Sequence, residues 1–563
     1  MNLIALARQQ VSNLTAAAYE KAAAAGTLPA GIEVNYTIEV AKAGNGDFAS
    51  SFALSASKAM KQNPRMIAQA IADNLDLSGS FFDAVDIAGP GFMNFTYGAA
   101  WYGKVLEAVE TEGTAYGSID EGKGKKVMVE FVSANPTGTM TIGNARGGVL
   151  GDAMASVLER AGYEVWREFY VNNAGNQIEK FGKSLEVRYL QALQGEDSIA
   201  FPEDGYHGVD IIELAAEIIE QYGDKFLGMD AETRQLEMRE YGIARNIEKM
   251  KRDLERYNIH YDKFFLETEL HESGYVKETI DILEQSGHTY EKDGALWLRL
   301  SDLGYEKDEV LRRTIGGYTY FAVDIAYHRN KFEVRNFDKV IDVLGADHHG
   351  HALRFKAAAE ATLNIDPERL DFLIMQFVHL VRNGESVKVS KRSGKVITLS
   401  DLLDEISVDA ARFFFNAKPS NHLEFDLDLA VRQDGENPVY YVQYAHARIG
   451  SIIRNLAEDG IGVQPLAALD IALLTHESER ALIKRMASLP EEISVSAKNY
   501  DPSQINRYLM NLAADFHKFY NDCSIKNAEC DALRAARLKL AASAKSVLAI
   551  CLGIIGVSAP EQM

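Results

Sequence analysis

Three groups of residues have types and spacings that could do chemistry. The first is "NPTGTMTIGNARG" (135–147), a turn between the strand-like "KKVMVEFVSA" and the helix-like "GVLGDAMASVLERAG". A helix N-terminus placed there can turn its amides toward an anion. Thr141 brings a hydroxyl donor and Asn144 an amide donor. Gly143 would let an adenine ring lie against backbone that a Cβ would shield. The turn lacks both GxxxxGK[ST] and GxGxxG, so neither a P-loop nor a dinucleotide fingerprint accounts for it; a purely structural βα turn is the alternative. The second group is "RNGESVKVSKRSGKVITLSDLLDEI", where Lys388, Lys391, Arg392 and Lys395 crowd a Gly/Ser loop before a helix expected to be capped by Ser400. Such a loop could close on developing negative charge; a solvated surface loop is its plain alternative. The third is Tyr320 and Asp324 in "YTYFAVDIAYH", four apart and able to share one helix face, or else a core tyrosine and a structurally paired acid. In "LGADHHGH", Gly345, Asp347 and His348 should sit at a strand's carboxyl end. His348, His349 and His351 have no HExxH pattern or cysteine beside them, so no metal site is predicted.

These residues need elements to position them. Residues 125–180 read as a βαβ unit: "VMVEFV", the turn, a helix with Val149, Leu150, Met154, Val157 and Leu158 at helical spacing, a closing Gly162, then "EVWREFYV". That pattern predicts parallel strands with a ligand at their carboxyl ends. Residues 181–275 are charged and helical and read as an insertion. Strand signals resume in "ALWLRL", "YTYFAVDIAYH" and "KVIDVLGADHHG". The expected domains are a small α/β module over 1–115, an α/β catalytic domain over 116–400, and an all-α bundle over 401–563, where Asp501-Pro502 reads as a helix start.

The 563 residues suffice for about three or four domains. A net charge of −22 lowers the prospect of a protein that coats itself in nucleic acid, though a local basic surface is enough for phosphate contacts. Cys523, Cys530 and Cys551 are odd in number and clustered near the C-terminus, as free thiols in a reducing compartment would be. The amphipathic N-terminal stretch lacks the form of an export signal, and the apolar run Ser546 to Ala559 is too short to span a bilayer. The expectation is a cytoplasmic, monomeric protein with no membrane partner.

The turn resembles the first signature of class I aminoacyl-tRNA synthetases, usually His-Ile-Gly-His. The longer string "VEFVSANPTG…GNARGGVLGDAMASVLERAGYEVWREFYVNNAGNQI" resembles the arginyl-tRNA synthetases. Both signature histidines are replaced, by Thr141 and Asn144; Thr-Ile-Gly-Asn is the wording of tryptophanyl-tRNA synthetases. Exchanging a charged for a neutral donor costs about 1–2 kcal/mol, roughly a decade in rate per position. "KVSKRSG" resembles the Lys-Met-Ser-Lys motif, with Val389 for Met. The resemblance implies a class I Rossmann-like catalytic domain using ATP, with Mg²⁺ carried mainly on its phosphates. It implies catalytic roles for Thr141, Asn144, Lys388 and Lys391, and ATP contacts from Thr141, Gly143, Asn144, Gly345, Asp347, His348, Val389 and Lys391. L-arginine would be bound by Glu130, Ser133 and Asn135, with Tyr320 and Asp324 holding its guanidinium. "VYYVQYAHARIGSIIRNL" and the string from Asp531 to Arg534 resemble the family's anticodon-binding helices, so Tyr444, Arg448 and Met563 would touch tRNA(Arg). The implied activity is arginine–tRNA ligation. A catalytically silent tRNA-binding paralogue is the rival, and an ATP-using ligase charging something other than tRNA is a third reading.

Overall fold

The computed structural model describes residues 2–42, 44–315, 317–346, 349–387, 397–418 and 422–563. Its centre is a parallel sheet of five strands: β1 (Lys126–Glu130), β2 (Glu164–Val171), β3 (Lys263–Leu266), β4 (Lys339–Gly345) and β5 (Leu370–Met375). Their spatial order is β5-β4-β1-β2-β3. The chain runs outward from β1 through β2 and β3, then returns to β4 on the other side. The topological switch therefore falls between β1 and β4, and a ligand crevice opens at their carboxyl ends. Val127, Met128 and Val129 of β1 are all buried, as a strand covered on both faces requires.

Helix α1 (Ile142–Arg160) follows β1. A Cβ on Gly151 would lie 2.1 Å from Phe131, and one on Gly148 would lie 2.8 Å from Ile259. These glycines let the helix seat close to the sheet and aim its N-terminus at the crevice.

Three local expectations change. "YTYFAVDIAYH" is helix α2 (Tyr320–Arg329), continuing into a π-helical turn, Asn330–Val334. Phe321, Ala322, Val323, Ile325, Ala326 and Tyr327 are all buried, so apolar residues surround most of the helix and its aromatic, β-branched run imitates a strand. Strand β3 lies inside the stretch read as wholly helical. The remainder of that stretch is helical, in Asn176–Gln194, Val209–Tyr222 and Ala231–Arg256, around a core containing Phe181, Leu185, Ile211 and Met238. Helix α3 (Leu399–Glu405) is capped by Thr398, not Ser400; Asp401 answers from the third helical position to complete a reciprocal box.

The N-terminal module pairs helices Leu3–Ala24, Phe52–Met60 and Pro64–Ala72 with a four-stranded antiparallel sheet. The C-terminal bundle comprises α4 (Pro438–Glu458) and helices Glu477–Ala487, Leu489–Asn499, Ser503–Asp522 and Asp531–Ile554. The helix after Asp501-Pro502 starts one residue late, at Ser503, whose N–H donates to Asp501 Oδ1 at 3.1 Å. Buried Arg412 ties bundle to sheet: it donates to Ile555 O, Tyr257 O and Asn258 O and pairs with Asp152 of α1. Lys539 to Glu110 (2.6 Å) and Tyr116 Oη to Met486 O (2.9 Å) join the segment before β1 to the same bundle. Among the described residues no helix is long and apolar enough to cross a membrane.

Candidate active site

Three neighbouring strands carry an acidic row across the sheet, level with the end of β1. Asp342 of β4 is the register partner of Glu130 of β1, which is in turn the partner of Glu168 of β2. Strands lie about 4.8 Å apart, so these three carboxylates would repel one another if left uncompensated. Helix α2 and its π turn lay cations over them. Lys331 Nζ donates to Glu130 Oε2 at 2.6 Å and to Asp342 Oδ1 at 3.0 Å. Arg335 pairs with Glu168 at 2.6 Å. His328 Nε2 lies 2.7 Å from Asp342 Oδ2, and its Nδ1 lies 2.9 Å from the Asp324 carbonyl oxygen and 3.2 Å from Asp324 Oδ1. Two carboxylates at opposite ring nitrogens require protons on both. Burial and neighbouring Lys331 oppose this charge, but Asp342 and Asp324 outweigh them and raise the imidazolium to about 9. Burial likewise pushes the Glu130 carboxyl above its ordinary range against the pull of Lys331, whereas Lys331 and His328 overcome burial to hold Asp342 below its own.

The arrangement joins most of the expected arginine residues. Glu130 is only 8 % exposed, and its other oxygen accepts from Ser133 Oγ at 2.8 Å. Ser133 also receives Tyr170 N at 3.1 Å, so its hydroxyl orients Glu130 within the strand end. Val132 and Ser133 both take positive φ, 70° and 42°. For a β-branched residue that conformation is strained, and it bends the chain sharply as it leaves the sheet toward Asn135, whose Nδ2 donates to Gln177 Oε1 at 2.9 Å. Tyr320 is 52 % exposed one turn before Asp324, whose carboxylate lies beside His328.

At the first signature, Thr141 caps α1. Its N–H and hydroxyl both donate to Asn144 Oδ1, at 2.8 and 2.9 Å, while its Oγ1 accepts from Asn144 N. The two signature replacements thus form a capping box. The roles expected of them separate: the Thr141 hydroxyl is used inside the box, and Asn144 Oδ1 is occupied, which turns Nδ2 outward beside exposed Gly143. Thr141 also bridges Thr398, and Leu399 N donates to Met140 O at 2.9 Å. The downstream stem of the lysine-rich loop is therefore hydrogen-bonded to the first signature. Gly345 ends β4 at the same edge. Asp347, His348, Lys388, Val389, Lys391, Arg392 and Lys395 lie outside the described residues.

Tyr444, Arg448 and Met563 belong to a separate surface on the C-terminal bundle. Tyr440 stacks on Tyr444 (6.2 Å between centroids, 8° between planes), His517 lies 6.2 Å from Tyr444 at 28° between planes, and Arg448 covers Tyr520 at 4.2 Å. The tail before Met563 is held to α4 by Pro560 O on His446 Nδ1 (2.8 Å) and by Arg454 on Glu561. Sequence reading missed Lys331, His328, Asp342 and Glu168. Asp342 alone left a signal, a lone acid inside the apolar strand "VIDVLG", as Glu130 is in "VMVEFV".

Comparisons place this geometry in a class. Residues 106–453 match the family model described as the catalytic domain of the class I (R) tRNA synthetases, 442–563 the DALR anticodon binding domain, and 9–97 the arginyl tRNA synthetase N terminal domain. A class I aminoacyl-tRNA synthetase is therefore the type of molecule that fold and site define. Arginine–tRNA ligases of Acetivibrio thermocellus and Caldanaerobacter subterraneus subsp. tengcongensis are 50% and 49% identical to the chain, each alignment covering 100% of both proteins. The solved Thermus thermophilus arginyl-tRNA synthetase shares the fold at a TM-score of 0.72 and 24% identity, covering 99% of this chain and 100% of that one. The chain belongs to the arginyl-tRNA synthetase family, and it is an aminoacyl-tRNA ligase.

Proposed function

We propose that the chain activates L-arginine with ATP and passes it to the 3′ end of tRNA(Arg). The arginine carboxylate attacks the α-phosphorus of ATP, the bond to the bridging oxygen of the β-phosphate breaks, and pyrophosphate leaves. A terminal ribose hydroxyl of the tRNA then attacks the aminoacyl carbonyl, losing its proton as AMP departs. Asp324 meets the guanidinium as a carboxylate acceptor and Tyr320 forms a wall for it, with Glu130 and Ser133 setting the floor of the pocket and Asn135 at the α-amino end. Asn144 Nδ2 and the first amides of α1 meet the phosphates, while Thr141 keeps Asn144 in place. Gly345, Asp347 and His348 take the adenosine side. Lys391, assisted by Lys388 with Val389 between them, brings positive charge to the leaving pyrophosphate.

Among the described residues no group of three or more His, Cys, Asp or Glu side chains could hold a metal. Mg²⁺ would accompany ATP, bound mainly through its phosphates, where it would neutralise charge. The stacked Tyr440–Tyr444 pair, Arg448 and the pinned Met563 tail offer an aromatic and cationic surface for unpaired bases.

The observation that carries this reading is the coincidence, at the ends of β1 and β4, of a guanidinium-compatible acid with an outward amide donor at a helix N-terminus. Its test is arginine-dependent ATP–pyrophosphate exchange, with and without tRNA(Arg), followed by aminoacylation. Exchange and arginylated product are expected; neither appearing with all components present would leave the silent tRNA-binding paralogue.

A further inference from the structure

We propose that Lys331, Asp342 and His328, none of which reaches the crevice surface, form a positioning relay that holds Glu130 and Asp324 in register as one recognition unit for the substrate's guanidinium. The proposal rests on the assignment of Asp324 to that guanidinium. Five side chains make a continuous line, Glu130–Lys331–Asp342–His328–Asp324, with separations of 2.6, 3.0, 2.7 and 3.2 Å; all but half-buried Asp324 are buried, and His328 Nδ1 also meets the Asp324 carbonyl at 2.9 Å. Ser133 extends it at the Glu130 end by 2.8 Å. The line joins three elements: Glu130 from β1, Asp342 from β4, and Asp324, His328 and Lys331 at positions i, i+4 and i+7 of α2 and its π turn. One face of one helix thus reaches two strands.

Asp342 is the pivot. It is buried, and both of its oxygens are used, one by each cation. Lys331 Nζ and His328 Nε2 are only 3.3 Å apart; the carboxylate between them makes that approach tolerable. Without it the two cations separate and seek the remaining acids, drawing Glu130 and Asp324 inward and away from a substrate. The other charged groups packed against this line are already matched: Glu168 with Arg335, and Glu267 with the Tyr170 hydroxyl at 2.8 Å and His271 at 3.6 Å. Tyr327 lies under Lys331 at 4.3 Å and donates to Glu168, closing the line off from below.

The test measures ATP–pyrophosphate exchange by the full chain in the presence of tRNA(Arg) for Asp342→Asn, His328→Gln and Asp324→Asn, alongside thermal melting. Asp342→Asn and His328→Gln should each raise the KM for arginine about tenfold, with kcat and the KM for ATP changed less than about threefold. Asp324→Asn should raise the arginine KM further. A melting temperature lowered in Asp342→Asn and His328→Gln without any movement of their arginine KM, while Asp324→Asn still raises it, overturns the relay and leaves the guanidinium assignment standing. An unchanged arginine KM in Asp324→Asn overturns that assignment and the relay with it. If Asp342→Asn does not fold, His328→Gln decides, because it keeps the Glu130–Lys331–Asp342 links and severs only the Asp324 end.

Discussion

The two ends of the crevice are built by opposite means. At the amino acid end, interlocked charges lie beneath the surface: Lys331 is fully buried, and its partners Glu130 and Asp342 are nearly so. At the nucleotide end the described groups are neutral and close to solvent, a threonine and an asparagine that cap one helix and bond to each other. A buried ion network is costly to assemble, but once assembled it is rigid and hard to perturb by halves. A capping box is local, tolerant of small changes, and dependent on neighbouring elements for charge. The lesson is a division of labour. On the proposed reading, the pocket that must tell arginine from other amino acids is preorganised by buried charge, whereas the nucleotide would meet a helix end whose described donors are neutral.

The contrast can be broken most forcefully at Asp324. Asp324→Asn should reduce kcat/KM for arginine about a hundredfold, the scale of losing a charge-assisted pairing in a partly desolvated site, as read by pyrophosphate exchange. Lys391→Ala comes next, with an exchange rate lowered by at least about tenfold and tRNA affinity little changed, measured by exchange and filter binding. Asn144→Asp sharpens the comparison, because aspartate keeps the capping acceptor and removes the outward donor. The melting temperature should hold or rise, since an acid suits a helix N-terminus, while the KM for ATP rises about tenfold. Thr141→Ser preserves the box and should change the rate less than about threefold.

A pH titration separates the two ends without mutation. The His328 value is raised in the folded protein, from 6.5 to about 9, by Asp342 and Asp324 against burial and Lys331. A raised value means that the folded state holds the proton more tightly. The stabilisation is therefore complete below about pH 6.5 and is lost as the pH climbs through about 9. Chemical denaturation of wild type should show stability declining across that window, and His328→Gln should flatten the decline. Nothing in the Thr141–Asn144 box titrates there.

Much of this was legible in the chain, for identifiable reasons. The β1–turn–α1 unit announced itself because a strand buried on both faces, a glycine-bearing turn and a helix with a regular apolar stripe each leave a strong pattern. The pairing of Tyr320 with Asp324 was visible from their spacing, yet the element carrying them was also read as a strand, because a helix buried on nearly every side displays no period. Glu130 was singled out through the family resemblance of the string around it. Lys331, His328 and Asp342 were not, since their meaning lies in contacts between β4 and the π turn that no linear spacing encodes. The capping box at Thr141 was similarly hidden: the residues were identified, but which donor faces inward depends on the hydrogen bonds they make to each other.

Arg412 gives the molecule a further property. Its guanidinium lies within one lattice of acceptors drawn from α1, the end of the Ala231–Arg256 helix and the last turn of the chain, and a Cβ on Gly556 would come within 2.1 Å of it. Removing the final helix and the residues after it would take the Ile555 carbonyl from Arg412 and uncover a buried guanidinium then held only by Asp152 of α1 and the carbonyls of Tyr257 and Asn258. The bundle is thus no detachable appendage, and a severed catalytic half would inherit a fault in its own foundation.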